Sequence, residues 1–188
     1  MFERYTEDAR KVIFFARYEA SNFGSSYIET EHLLLGMARE QAKLLASLTP
    51  AFPGYSQLSS EIAQVRPPGH KISTSVDLPL SNQCKRILAY AAEEAERLAD
   101  HFIRSHHLLL GMLREENSLA ADLLEKYGAE PGPLRQKIAE TTPKAVSGEQ
   151  GRTMYCGSCG KSRAPLICKH CSVAICLKCG SPLLESRA

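Results

Sequence analysis

The sequence predicts an all-α fold of two tandem four-helix repeats in a pseudo-two-fold bundle, followed by a small cysteine-rich finger. Three observations carry this. Residues 6–40 match residues 81–115 at a constant offset of 75 without a gap, most closely at Glu31-His32-Leu33-Leu34-Leu35-Gly36-Met37 against His106-His107-Leu108-Leu109-Leu110-Gly111-Met112. Within each copy the apolar residues recur at helical spacing. After residue 155 that pattern stops, and six of the seven cysteines fall into three Cys-x-x-Cys pairs.

The first helix of repeat one follows Thr6, an N-cap residue, with Glu7 and Asp8 in the first turn where the helix dipole favours negative charge. Its apolar stripe is Ala9, Val12, Ile13, Ala16, Ala20 and Phe23. Repeat two caps at Ser81 and repeats the stripe as Cys84, Ile87, Leu88, Ala91, Ala95 and Leu98. Cys84 stands where Ala9 stands and reads as a small buried thiol. The second helix of each copy starts after Thr30 or Ser105, read as N-caps, and carries Leu-Leu-Leu-Gly-Met. Shorter helices follow at 42–48 and 57–65, matched by 119–126 and 134–140, with Pro50, Pro53-Gly54, Gly128 and Pro131-Gly132-Pro133 as punctuation. Repeat one thus spans 1–65 and repeat two 79–141, within a domain of 1–142, and Arg66 to Pro79 is the linker between them. Two copies related by a pseudo-two-fold bury their apolar faces together.

The helical part is long enough to bury about two-thirds of its unfolded surface and fold alone. The tail is not, and needs a metal or disulfides to hold it. The net charge of +2 is uneven: residues 144–188 carry seven basic and two acidic side chains, leaving −3 for the rest. No stretch approaches the roughly 18 apolar residues needed to span a membrane. The start, Met1 to Asp8, is charged and lacks the apolar run of a signal peptide, so the reading is a cytoplasmic protein with no membrane partner.

Phe2-Glu3-Arg4-Tyr5-Thr6, Ile28-Glu29-Thr30-Glu31-His32-Leu33-Leu34-Leu35-Gly36 and the repeat-two equivalent of that segment resemble the Clp N-terminal repeat domain, found at the front of AAA+ unfoldases of the ClpA and ClpC type. The likeness runs from residue 1 to about residue 140 in unbroken order. It implies an all-helical bundle of two four-helix repeats that receives adaptors and substrates. In unfoldases of the ClpC type it also implies a phosphoarginine pocket in each repeat, where the acidic residue of the Thr-Glu-His segment contacts the guanidinium. Here that segment is Thr30, Glu31 and His32, so repeat one keeps its carboxylate, whereas repeat two has His106 in place of Glu31. A helix N-terminus can cradle a phosphate and a nearby carboxylate can pair with guanidinium. The residues alone leave a second reading open, in which Glu31 only occupies a dipole-favoured first turn. His32 and His107 read as packing or capping residues. Adjacent His106 and His107 point about 100° apart on a helix and do not form a natural bidentate metal pair.

Residues 143–153 have no apolar periodicity and read as a flexible linker before a finger at 154–182. The finger holds Cys156/Cys159, Cys168/Cys171 and Cys176/Cys179. A Cys-x-x-Cys turn lets two thiolates chelate one ion, and zinc takes four ligands in a tetrahedron. Cys156, Cys159, Cys176 and Cys179, two pairs separated by 16 residues, fit ribbon-type spacing and are assigned one zinc. The full spacing of two, eight, two, four and two residues resembles the front of a B-box-like cross-brace finger, in which pairs one and three share a zinc. Cys168 and Cys171, with His170 between them, are alternative ligands, an incomplete second site or a redox-active pair. A structural zinc leaves no open position for catalysis.

No phosphate loop is present: in Gly160-Lys161-Ser162 the first glycine would have to stand at position 155, which is Tyr155. The sequence therefore reads as a non-enzymatic Clp-related accessory or adaptor protein, whose repeats bind Clp adaptors, degrons, substrates or an unfoldase and whose finger makes a second protein contact. The alternatives are a regulator in which oxidation of the zinc thiolates unfolds the finger, and nucleic-acid binding through Lys161, Arg163, Lys169 and Lys178. Apart from Tyr155 the tail offers no aromatic residue to stack on bases.

Overall fold

A computed structural model describes residues 3–141, and beyond them residues 166–167 and 174–175. The chain divides into two units, Met1–Ala145 and Val146–Ala188. The first is all-helical, with α1 Glu7–Phe23, α2 Thr30–Glu40, α3 Ala42–Leu48 and α4 Tyr55–Val65 in repeat one. Repeat two has α5 Asn82–Arg97, α6 Ser105–Arg114, α7 Leu119–Lys126 and α8 Pro131–Thr141. In the second unit the described residues form an antiparallel pair, β1 Leu166–Ile167 with β2 Ala174–Ile175, in which Leu166 faces Ile175. The assigned zinc ligands Cys156, Cys159, Cys176 and Cys179, and Cys168, His170 and Cys171, lie outside the described residues.

The helix starts follow from side-chain chemistry. Thr6 Oγ1 accepts the Ala9 N–H at 3.4 Å and Ser81 Oγ accepts the Cys84 N–H at 3.2 Å, so both expected caps form. Ser118 caps α7 the same way, accepting from the Ala121 N–H. Thr30 and Ser105 are not N-caps; they are the first residues of α2 and α6, and the caps are Glu29 and Arg104. The reason is the histidine two positions further on. His32 Nδ1 accepts the Glu29 N–H and His107 Nδ1 accepts the Arg104 N–H, each at 3.0 Å, so the ring does the work of the glutamate in a capping box. Helix α4 begins at Tyr55, two residues before the expected start, because Gly54 takes φ +79° and releases the chain directly into it. Helix α8 begins three residues early, at Pro131, a residue suited to a first helical position.

The apolar stripe is buried as its spacing requires. Ala9, Val12, Ala16 and Ala20, and Cys84, Ile87, Ala91 and Ala95, are fully buried, with Ile13, Phe23, Leu88 and Leu98 packed at the margin. Against these small residues lies the Leu-Leu-Leu-Gly-Met face. Gly36 lets α2 approach α1 so closely that a Cβ there would sit 2.5 Å from Val12 O and 2.7 Å from Ala16 N. Gly111 does the same between α6 and α5, 2.6 Å from Ile87 O.

The two repeats exchange their lead-in strands. Tyr5 bridges Ile103 and Ile28 bridges Leu80, a pair of contacts that maps onto itself under the 75-residue offset. Thr6 N–H donates to Ile103 O and Ser81 N–H to Ile28 O, both at 3.0 Å, while Ile103 N–H donates to Arg4 O and Ile28 N–H to Pro79 O, both at 2.8 Å. Each repeat thus sets the N-terminus of its own second helix beside the N-terminus of the other repeat's first helix. The linker is strapped along α1: Gly69 N–H donates to Phe23 O, Ile72 N–H to Ser21 O, and Leu78 is buried. One asymmetry is backbone strain, since the left-handed turn after α1 uses Gly24 (φ +69°) and the equivalent turn after α5 uses Ala99 (φ +54°).

Candidate functional site

The exchanged lead-ins place two pseudo-equivalent sites at the N-termini of α2 and α6. In the first, Thr30, Glu31 and His32 occupy the opening turn of α2, and all three are buried. Thr30 Oγ1 donates to Glu31 Oε2 at 3.3 Å. The Glu31 side chain is only 4% exposed, and its Oε1 lies 3.6 Å from Nε of Arg66, the first residue of the linker. Thr30 and Glu31 therefore act together, and their carboxylate already faces a guanidinium. His32 is turned away: its Nδ1 holds the Glu29 N–H and its ring packs edge-on against Phe23 at 5.6 Å. Burial pushes its pKa down to about 4. It shapes the turn and does not reach a ligand there.

In the second site the opening turn is Ser105, His106 and His107. His107 Nδ1 accepts the Arg104 N–H, so the proton of the neutral ring sits on Nε2, which lies 3.1 Å from His106 Nε2. The two rings meet edge to face within one turn, 79° apart. With Asp100 they form a group of three ligand-type side chains whose donor atoms lie within 4.8 Å of one another. The bonding pattern speaks against a metal there. His107 could offer an Nε2 lone pair only by giving up the cap of α6. Asp100 is committed as well, its Oδ1 accepting from Phe102 N–H at 3.0 Å and its Oδ2 from Arg104 Nε at 2.6 Å.

Burial holds all three histidines neutral, with His32, His106 and His107 each pushed down to about 4. Because the folded pKa lies below the unfolded value of 6.5, the unfolded chain takes up protons that the folded chain refuses. Stability is therefore full above about 6.5 and falls as the pH drops from there toward about 4. The expected loss is of order 1–3 kcal/mol per histidine, read from urea midpoints between pH 7 and pH 4.5, and a His32→Gln variant should show a shallower acid slope.

Sequence reasoning missed a second duplicated device. Glu19 and Glu94, 75 residues apart, are almost fully buried on the inner faces of α1 and α5. Glu19 Oε1 accepts from Arg39 at 2.9 Å and from the Tyr55 hydroxyl at 3.0 Å. Glu94 holds Arg135 through two bonds of 2.8 and 2.9 Å, with Arg114 at 3.3 Å and Arg97 at 3.4 Å. Burial pushes the Glu94 carboxyl up, but the hydrogen bonds from Arg135 and the charges of Arg135, Arg97 and Arg114 outweigh it and hold the group below its ordinary range. Arg39 also stacks over Phe15 and Tyr18, and Arg114 over Tyr90. The signal was available: Glu19, Arg39 and Phe15 recur at the same offset as Glu94, Arg114 and Tyr90. These arginines clamp the second helix of each repeat to the first. Cys84 is buried, its thiol pushed up to about 12 by that burial, and is not a nucleophile.

Comparison with known proteins agrees with this architecture. The family model described as "Clp repeat (R) N-terminal domain" matches residues 4–126 and 79–159. The chain is 36% identical over 156 residues to the chaperone protein ClpC2, chloroplastic, of Oryza sativa subsp. japonica, covering 80% of this chain and 17% of that one. It is 36% identical over 139 residues to the chloroplastic ClpA homolog, an ATP-dependent Clp protease ATP-binding subunit, of Brassica napus, covering 73% of this chain and 16% of that one. The chain thus spans about a sixth of the length of these relatives, whose names place them in chloroplasts and do not match the cytoplasmic expectation. Among solved structures, the N-terminal domain of the chaperone ClpD from Arabidopsis thaliana shares the fold with a TM-score of 0.60 and 24% identity, over 75% of this chain and 95% of that one. No helix among the described residues is long and apolar enough to cross a membrane.

Proposed function

Since the chain belongs to the Clp repeat N-terminal domain family, we propose that it is a non-enzymatic protein-recognition module that works alongside Clp machinery. Repeat one takes an arginine-bearing segment of a substrate or adaptor, phosphoarginine included. The zinc-bound finger adds a second protein contact, and tethering two weak modules raises their joint affinity. One observation supports the ligand class above the others: the Glu31 carboxylate, beside the α2 N-terminus, is held by Thr30 Oγ1 and faces the Arg66 guanidinium. A carboxylate that already faces one guanidinium can pair with another, and a phosphate on the incoming guanidinium would lie against the amides of a helix N-terminus.

Arg66 is 61% exposed on its side chain and sits at the start of a strap, so it competes with an incoming guanidinium for Glu31. Arg66→Ala should tighten binding of an arginine-phosphorylated peptide by roughly two- to five-fold, in line with a partly exposed ion pair worth under about 1 kcal/mol. Fluorescence anisotropy with a labelled peptide reads this directly. Unchanged or weaker binding by Arg66→Ala would place the ligand elsewhere.

A further inference from the structure

The buried carboxylates Glu19 and Glu94 are held by unequal numbers of cations. Repeat one closes its clamp with one guanidinium and one hydroxyl, Arg39 and Tyr55, and its charges cancel. Repeat two brings three guanidiniums onto one oxygen: Arg135 Nη2, Arg114 Nη1 and Arg97 Nη1 lie 2.9, 3.3 and 3.4 Å from Glu94 Oε1. At the 75-residue offset Asn22 stands where Arg97 stands. With buried Leu58 and Ile62 set on buried Leu134 and Ile138, Ser59 stands where Arg135 stands. Arg114 ties α6 to α5 as Arg39 ties α2 to α1, and Arg135 ties α8 to α5 as Tyr55 ties α4 to α1. Arg97 ties nothing: it lies on α5 itself, three residues from Glu94, and makes the longest of the three contacts. A second carboxylate, half-exposed Glu93, takes Arg114 Nη2 at 2.7 Å. Against Glu93 and Glu94 the three arginines leave one positive charge unopposed. Neighbouring charges on α5 are already paired, Glu96 with Arg4 and Arg86 with Glu115.

We infer that Arg97, Arg114 and Arg135 form a docking site for an acidic segment of a partner protein, one of whose carboxylates takes up the unopposed charge. Like charges gathered onto one oxygen repel one another, and an added anion relieves them. The arginine side chains are 58%, 20% and 32% exposed in that order, so the cluster opens to solvent on one side while fully buried Glu94 closes the other. The donors are in place. Among the described residues Nε and Nη2 of Arg97 and Nη1 of Arg135 make no hydrogen bond. Nε and Nη2 form the edge through which Arg135 holds Glu94 by two bonds, and the same edge of Arg97 fits an incoming carboxylate. The Tyr90 ring, 4.3 Å from the Arg114 guanidinium, supports that guanidinium from beneath. One unopposed charge matches a carboxylate, which carries a single charge, better than a phosphate dianion. The site uses no residue of the opening turns of α2 and α6, so it does not rest on the repeat-one ligand.

The test is an amide-resolved NMR titration of the full chain with hexaglutamate, against hexaglutamine at matched ionic strength. Saturable shifts at the amides flanking Arg97, Arg114 and Arg135 are expected with hexaglutamate alone, and they should weaken as salt rises. Arg97→Asn restores the residue of repeat one and removes only an exposed contact, so it keeps its thermal stability. It should weaken hexaglutamate about tenfold, the scale of a hydrogen bond between charged groups. Glu93→Gln frees Arg114 Nη2 and should tighten binding roughly two- to five-fold, as expected for removing a half-exposed competitor. Glu31→Gln should leave the titration unchanged, which separates this site from the one in repeat one. Shifts no larger than those with hexaglutamine or confined to residues 144–188, unchanged binding by Arg97→Asn, or weaker binding by Glu93→Gln would each overturn the inference. So would a short single-stranded DNA that shifts the same amides at lower concentration, since the cluster would then read phosphates.

Discussion

Gly36→Ala should lower the stability of the helical domain by about 3 kcal/mol, the upper part of the range for overpacking a close contact. The added methyl would meet Val12 O at 2.5 Å and Ala16 N at 2.7 Å. Both are backbone atoms of α1, so no rotamer change relieves the clash and the two helices must part. Parting them exposes Val12 and Ala16 and lengthens the reach from Arg39 to Glu19. Alanine's better helix propensity, worth about 0.8–1.0 kcal/mol over glycine, offsets only part of this. Gly111→Ala should cost somewhat less, because its closest contacts are 2.6 Å to Ile87 O and 3.1 Å to Ala91 N. Gly132→Ala is the control: it lies in α8 with nothing within 4 Å of its new methyl, and should be neutral or stabilising. Urea denaturation of the three variants side by side checks the ranking. Equal midpoints for Gly36→Ala and Gly132→Ala would show that the α1–α2 crossing does not depend on the glycine.

The largest expected effect belongs to the finger. We propose one zinc held by Cys156, Cys159, Cys176 and Cys179. Binding in small fingers is worth about 10–16 kcal/mol, more than a segment of that size can gain from a core of its own. Purified chain should carry one zinc equivalent, and cobalt substitution should give the absorption of a tetrahedral tetrathiolate. A strong chelator should remove the metal and leave the far-ultraviolet signal of the helical domain in place, since that domain is long enough to fold alone. Cys156→Ser combined with Cys176→Ser should lose the metal, whereas Cys168→Ser combined with Cys171→Ser should keep one equivalent. Zinc retained in the first double variant, or a second equivalent lost with the second, would reassign the ligands.

Much of the helical domain was legible because its signals are local and stated twice. The caps at Thr6 and Ser81, the stripe from Ala9 to Phe23 and the ends of α3 and α7 follow from residue type and spacing alone. The duplication also predicted the pseudo-two-fold, which the Tyr5–Ile103 and Ile28–Leu80 bridges realise. Less legible was whatever depends on partners distant in sequence. Thr30 and Ser105 are good cap residues by type, yet His32 and His107 reach back and move the cap one position earlier. Glu19 and Glu94 look like solvent-facing charges in a helix; only the fold shows that Arg39 in one case, and Arg114 and Arg135 in the other, make their burial tolerable. At the site, sequence reasoning placed Glu31 correctly in the first turn of α2 but could not see Arg66 facing it, because that pairing depends on how the linker leaves α4. It noted the loss of the carboxylate at His106 but not that Ser105 Oγ is buried there without a hydrogen-bond partner among the described residues.

The measurement that bears most directly on the proposed function is calorimetric titration of the chain with an arginine-phosphorylated peptide and its unphosphorylated counterpart, for wild type and Glu31→Gln. Circular dichroism should first confirm that both proteins are folded, since Glu31 is buried. Saturable binding of the phosphorylated peptide by wild type, weakened at least about tenfold in Glu31→Gln as expected for losing a charge-assisted hydrogen bond, is the predicted result. Equal binding by the two proteins, or no binding by the wild type, would contradict a guanidinium site at Glu31.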